Sequence, residues 1–222
     1  MCSAWCRRCG LRSGAEDRAL SLGKRVFDLL GASLALLLLT PLMGIVALWI
    51  KLDSAGPVFF RQQRVGRHGV PFSIHKFRTM RTLSEGTEGL PLTVGDDPRI
   101  TRAGRFLRRT RLDELPQFID VLQGTMSLVG PRPEVPRYVA HYPPVLRARV
   151  LAVRPGITDP ASLNALDESA LLARAADPER EYIERVLPAK LQCSADYAEH
   201  ANLRSDLAVL WRTARRLLSA GA

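Results

Sequence analysis

From Val26 to Ile50 the chain reads VFDLLGASLALLLLTPLMGIVALWI, an apolar run carrying a single charge, Asp28. As one straight helix it would measure roughly 37 Å, against a hydrocarbon core of about 30 Å. Core helices of soluble domains keep a polar stripe, and this run keeps almost none beyond Asp28. It is too long for a cleaved signal peptide and ends in no small-residue cleavage site. Pro41 cannot donate to the Leu37 carbonyl and its ring crowds that group, so the pattern predicts a bend at Thr40-Pro41. The Thr40 hydroxyl offers a local substitute partner. Lys24 and Arg25 precede the run, and Lys51, Arg61, Arg64 and Arg67 follow it. Cytoplasmic flanks are the ones enriched in Lys and Arg. Positive charge on both sides therefore suits a hairpin re-entering its own face, while the length alone suits a kinked span equally well.

Beyond Ile50 the pattern changes to short alternations separated by turns. Val58-Phe59-Phe60 and Phe72-Ser73-Ile74 read as strands around a turn from Gly66 to Pro71, after the turn cluster Asp53 to Pro57. Arg81 to Pro98 is rich in Gly, Glu, Asp and Thr and reads as a loop. Arg102, Arg105, Arg108 and Arg109 recur at helical spacing around Phe106 and Leu107, a basic amphipathic pattern suited to an anionic membrane surface or to a solvated face. Leu112, Leu115, Phe118, Ile119 and Leu122 predict an apolar side on the next helix. Pro116 is compatible with that helix only if it begins near Asp113. Two rigid cationic turns follow, Gly130-Pro131-Arg132-Pro133 and Arg154-Pro155-Gly156, and the C-terminal third reads as mostly helical. The expected fold is α+β but mostly helical: a basic, disordered leader over residues 1–22, a membrane-inserted helix over 23–51 and a cytosolic domain over 52–222.

Composition narrows the partners more than the architecture. A formal net charge of +10 in 222 residues points to anionic partners. Aromatic residues make up only 6% and do not interleave with the basic ones, which argues against stacking on nucleic acid. Cys2, Cys6 and Cys9 sit in a polar, Gly-containing leader without a fourth ligand nearby, which weighs a three-cysteine metal site against disorder and favours disorder; Cys193 stands apart, and no disulfide framework is indicated. No P-loop or dinucleotide-binding fingerprint is present in the sequence.

The candidate chemistry lies in the adjacent carboxylates Asp113 and Glu114, which follow five arginines, Arg102, Arg105, Arg108, Arg109 and Arg111. Cations nearby favour ionised carboxylates, which can serve as a nucleophile or as ligands for a hard metal. Arginines are also what a phosphate-bearing substrate requires. A capping acid with arginines on a solvated face accounts for the same spacing. Successive helical positions point about 100° apart, so the two acids are expected to hold separate roles.

These motifs resemble one family, the bacterial sugar transferases or monotopic phosphoglycosyl transferases. The matching segments are KRVFDLL (24–30), GPVFFRQQRVGRHGVPFSIHKFRTM (56–80), DPRITRAGRFLRRTRLDELPQ (97–117), MSLVGPRPE (126–134) and RPGIT (154–158). The resemblance implies transfer of a sugar-1-phosphate from a UDP-sugar to undecaprenyl phosphate, releasing UMP and requiring Mg²⁺. It implies Asp113 as the nucleophile of a covalent intermediate and Glu114 as the Mg²⁺ ligand. Lys76, Arg78, Arg108, Arg132 and Arg154 would hold phosphates, and Pro131-Arg132-Pro133 would seat the nucleotide. It further implies that Thr40-Pro41 breaks the membrane helix into a re-entrant hairpin at the cytoplasmic face of the bacterial inner membrane. The product would start an exopolysaccharide, an O-antigen or a glycoprotein glycan. Membrane lipids and downstream glycosyltransferases would then be partners, and nucleic acid would not.

The chain also departs from the usual pattern of the family. Thr125 stands where Asp commonly precedes the Met-Ser pair, Asp120 where Asn is commoner, and Asp159-Pro160 where Gly usually follows Thr158. A non-catalytic homologue, or an anionic-lipid-binding partner in a glycan assembly complex, is the competing reading of the same residues.

Overall fold

The computed structural model describes residues 14–81, 97–161, 171–172 and 174–220. Most of the loop expected from Arg81 to Pro98, and the three leader cysteines, lie outside the described residues. Helix α1 runs from Gly14 to Asp53, so residues 14–22, expected to end the leader, form its first turns. Within its segment Leu22–Asp53 an 18-residue stretch reaches a mean hydropathy of 2.3, and the segment meets the length and composition needed to cross a membrane. Leu34, Leu37, Leu38, Ile45 and Leu48 are bare on its surface.

Helical structure continues through Thr40 and Pro41, so the expected break is not an interruption of α1. The Thr40 hydroxyl donates to the Leu36 carbonyl at 2.5 Å, one residue before the carbonyl that Pro41 deprives. Asp28, the charge inside the apolar run, is 2% exposed. Its Oδ1 accepts the Leu128 N–H at 3.2 Å. Lys24 lies 3.3 Å from Asp28 and 2.6 Å from Asp206, so the first limb of α1 is tied to the domain by a buried ion network.

After α1 come strands β1 (Phe59–Val65) and β2 (Pro71–Phe77), an antiparallel hairpin longer than its strand signals. Helix α2 (Arg102–Thr110) starts at Thr101, whose hydroxyl caps the Gly104 N–H. A 3₁₀ turn (Leu112–Glu114) leads into α3 (Gln117–Gln123), with Pro116 at the N-cap. The helix therefore begins later than the sequence implied, and the two acids sit in the turn before it. This delay also rotates the buried face: Gln117, Asp120 and Val121 are buried, whereas Leu122 of the expected apolar side is exposed.

Strands β3 (Ser127–Val129) and β4 (Gly156–Thr158) pair in parallel, with Ser127 opposite Gly156. Between them lie α4 (Pro136–Val139) and α5 (Pro144–Val150). The C-terminal part holds α6 (Pro178–Glu181), a π turn (Tyr182–Val186), α7 (Leu187–His200) and α8 (Leu203–Ala220). Among the described residues the fold is thus mostly helical with two small sheets.

Among the described residues three apolar clusters hold the fold together. One joins α4, α5 and α7 through Tyr138, Tyr142, Val150, Leu187 and Leu191. A second joins Ala32 of α1 to Ile74, Val121, Met126 and Val209. The third joins Val46 and Ile50 of α1 to Phe77 and Leu107. At about 1.5–3 kcal/mol for each large apolar side chain buried, Val46 and Ile50 seat the later part of α1, while Ala32, half-buried Phe27 and the Lys24 ion pairs hold the earlier part.

Candidate active site

The two sequence-adjacent acids meet different surroundings because the 3₁₀ turn points them apart. Arg111, at the junction of α2 and this turn, takes the left-handed conformation with φ of 59°. A non-glycine residue there stores strain of order 1–3 kcal/mol, and such strain is commonly kept where side-chain direction matters.

Glu114 is the hub of a charge cluster. Its Oε1 accepts from Lys76 Nζ of β2 at 2.8 Å and from Arg132 Nη2 at 2.8 Å. The Arg111 guanidinium stands 4.0 Å away. Burial works against ionisation of Glu114, but the charges and hydrogen bonds of Arg132 and Lys76 overcome it and hold the carboxyl below its usual range. In return, Glu114 raises Arg132. Burial lowers Lys76 while Glu114 opposes that shift, so we assign Lys76 as an ammonium paired with a carboxylate.

Asp113 is the opposite case. It is buried, and its Oδ1 has no hydrogen-bond partner. Burial raises its pKa, opposed by Lys76 first and then by Arg111 and Arg132. The sequence led to the expectation that both acids stay readily ionised among cations; desolvation makes Asp113 the more basic of the two. A buried carboxylate oxygen without a partner, within the field of Lys76, Arg111 and Arg132, is the arrangement an anionic nucleophile needs.

Arg132 is presented by the turn between β3 and α4, and backbone contact holds that turn. The Gly156 N–H donates to the Pro131 carbonyl at 2.9 Å. A Cβ on Gly130 would lie 2.5 Å from the Arg154 carbonyl oxygen, and one on Gly156 would lie 2.0 Å from the Gly130 nitrogen. Only glycines allow this approach. Arg64 donates to the Pro133 carbonyl at 3.0 Å, tying the turn to β1. Pro131 and Pro133 are both buried.

The structure does not bring every expected phosphate ligand to this cluster. Arg78 is buried and spent on the end of α1, donating to Ala55 O at 2.9 Å, Ser54 O at 2.7 Å and Ser54 Oγ at 2.9 Å. It caps α1, because the carbonyls there have no helical donors. Arg154 donates through Nε to the Gly124 carbonyl at 2.9 Å and lines a separate cleft of about 300 Å³ with Lys24, Arg67 and Tyr197. Arg108 is half-buried late in α2, where its charge acts on Asp97. Arg111, in contrast, joins the cluster, although its place among five arginines did not distinguish it.

A second pair escaped the sequence reading. Asp120 of α3 and His75 of β2 meet at 2.6 Å through Oδ1 and Nδ1. Nothing local signals this contact between residues so far apart in the chain; Asp120 stood out only as a departure from a motif.

Among the described residues no group of three or more His, Cys, Asp or Glu side chains could hold a metal by itself. Asp113 and Glu114 still suit Mg²⁺, which commonly takes one or two carboxylates and completes its shell with water and substrate phosphate oxygens. The Glu114 carboxyl, held ionised by Arg132 and Lys76 beside the unpartnered Asp113 oxygen, is a fitting hard donor.

A family profile described as bacterial sugar transferase matches residues 19–220. A UDP-glucose:undecaprenyl-phosphate glucose-1-phosphate transferase of Caulobacter vibrioides is 40% identical over 90% of this chain and 72% of its own length. The protein of the same name from Xanthomonas campestris pv. campestris is 38% identical over 94% of this chain and 42% of its own length. That of Escherichia coli K12 is 46% identical over 64% of this chain and 31% of its own. The chain therefore spans under half of two of these relatives and most of the third. With these matches and the motifs assembled around one buried carboxylate pair, the chain belongs to the bacterial sugar transferase family.

Proposed function

We propose that this protein transfers a sugar-1-phosphate from a UDP-sugar to undecaprenyl phosphate and releases UMP. One observation carries the reading: Asp113 presents a buried, unpartnered oxygen beside Glu114, which Lys76 and Arg132 hold ionised. The relatives' names supply the substrate class.

The steps follow from the charges. Lys76 and Arg132 are placed to exchange Glu114 for the oxygens of the donor's pyrophosphate. The Asp113 carboxylate attacks the phosphorus that bears the sugar; the P–O bond to UMP breaks and UMP leaves with that electron pair. An acyl phosphate joins Asp113 to the sugar-phosphate. A phosphate oxygen of undecaprenyl phosphate then attacks the same phosphorus, the Asp113–phosphorus bond breaks and the carboxylate returns. Dividing one transfer into two steps is the usual gain from a carboxylate nucleophile. Its elevated basicity makes it a better nucleophile once ionised. Glu114 would hold Mg²⁺ together with the pyrophosphate. A bound ion there supplies neutralisation of phosphoryl charge.

We also infer that α1 re-enters the cytoplasmic face as a hairpin. Its two limbs bury Ala32 and Ile50 on one domain, while Leu34, Leu37 and Leu38 between them are bare. Pro41 supplies the physical cause of a bend. This places the site at headgroup depth, where a polyprenyl phosphate carries its own phosphate, and lowers the entropic cost of the encounter.

The test is release of UMP by purified protein with Mg²⁺, undecaprenyl phosphate and a panel of UDP-sugars. Asp113→Asn is expected to abolish release. Full activity in that variant would end the nucleophile assignment, and silence with every donor would favour a non-catalytic binding role.

A further inference from the structure

Asp120 takes no part in the chemistry above, yet it is 0% exposed and both of its carboxylate oxygens serve one partner. Oδ2 accepts the His75 main-chain N–H at 2.9 Å, and Oδ1 meets His75 Nδ1 at 2.6 Å. The second contact requires the proton on Nδ1, which leaves Nε2 as an acceptor. Nε2 faces Arg61, the cross-strand partner of His75 in the hairpin register. A chain of contacts thus runs from a buried anion, through an imidazole, to a cation on β1. The other side of Asp120 is fixed as well: its main-chain carbonyl accepts from Thr125 N at 3.1 Å and Thr125 Oγ1 at 3.1 Å. Thr125 and Asp120, two of the sequence's departures from the familiar motifs, are therefore in direct contact.

We propose that Asp120 is a positioning residue. Through His75 it sets the height of β2 against α3, and so the reach of Lys76 to Glu114. His75 and Lys76 are neighbours on one strand and point to opposite faces. Asp120 therefore acts through the backbone and touches none of the groups that hold substrate. Glu114 ends the 3₁₀ turn and Asp120 lies inside α3, with only Leu115 and Pro116 joining the two elements, so the tie from Asp120 to His75 also bears on how Lys76 meets Glu114.

The charge on Asp120 is part of the argument. An amide would accept the same main-chain N–H without taking a charge out of water, which is costly. Only a carboxylate offers a full acceptor to each His75 donor and polarises the ring so that Nε2 holds Arg61 more strongly.

The inference rests on the proposed transfer, and a double-mutant cycle separates the two. UMP release and calorimetric binding of UDP are measured for the wild type, Asp120→Asn, Lys76→Met and the double variant. Asp120→Asn is expected to lower kcat/KM about tenfold when Lys76 is present and less than about twofold in the Lys76→Met background. An equal loss in both backgrounds, or no loss in either, overturns the positioning role. His75→Gln runs in parallel and should show the same non-additivity, which keeps the question decidable if Asp120→Asn misfolds. A wild type that neither releases UMP nor binds UDP would defeat the transfer reading and this inference together. An additive cycle in an active wild type defeats the inference alone.

Discussion

Replacing Lys76 with methionine keeps most of the side-chain volume and removes one charge from the centre of the site. Glu114 Oε1 then retains Arg132 at 2.8 Å and loses the Lys76 ammonium at 2.8 Å. A hydrogen bond to a charged group contributes about 1.5–3 kcal/mol, so losing one from the bound pyrophosphate lowers kcat/KM by roughly 10–150-fold. A second effect is independent of the first. Lys76 is the leading charge that opposes the burial-driven rise of the Asp113 pKa. Without it Asp113 moves further up, and because it attacks as a carboxylate, the acid limb of kcat/KM moves to higher pH. The assay is UMP release in detergent with undecaprenyl phosphate, followed from the acid to the neutral range. Lys76→Arg, which keeps the charge, should restore the limb without restoring the full rate. A Lys76→Met enzyme within about twofold of wild type, or an acid limb that stays put or moves down, would refute the assignment.

Three further outcomes follow from the same contacts. Asp113 holds its proton more tightly when folded than when unfolded, so stability is lost as pH rises from about 4 through the raised folded value; Asp113→Asn should therefore raise Tm at neutral pH, by about 2–4 °C per kcal/mol recovered, and a lower Tm would contradict the burial account. Arg78→Met strands the carbonyls of Ser54 and Ala55 at the end of α1 and should cost about 3–5 kcal/mol in denaturant unfolding, with unchanged UDP affinity; lost affinity at normal stability would return Arg78 to phosphate binding. Single cysteines at Leu22 and Leu52, both well exposed, should react with an impermeant maleimide from the same side of the membrane in a background free of native cysteines; labelling from opposite sides would exclude the hairpin.

Much of the architecture was legible because it is written locally. The apolar run 26–50 announces α1, and alternation around the Gly66–Pro71 turn announces β1 and β2. The Gly-Pro-Arg-Pro and Arg-Pro-Gly turns declare themselves through residues with restricted or permissive backbones. Where local rules compete, packing decides. Pro116 became the N-cap of α3 rather than a first-turn residue, which rotated the buried face and left Leu122 exposed.

The sequence by itself determined that one long apolar helix precedes a basic domain, and that Asp113 and Glu114 stand together after a run of arginines. It could not determine which cations reach them. Lys76 and Arg132 arrive from β2 and from the β3–α4 turn, whereas Arg78 and Arg154, equally basic on paper, bind main-chain carbonyls elsewhere. Tertiary structure also decided that Asp28 is buried against Leu128 instead of exposed like Leu34 and Leu37, and that burial separates the two acids in basicity. The physical reason is that spacing and side-chain type set the local backbone, whereas desolvation and ion pairing depend on groups brought close only when the chain packs.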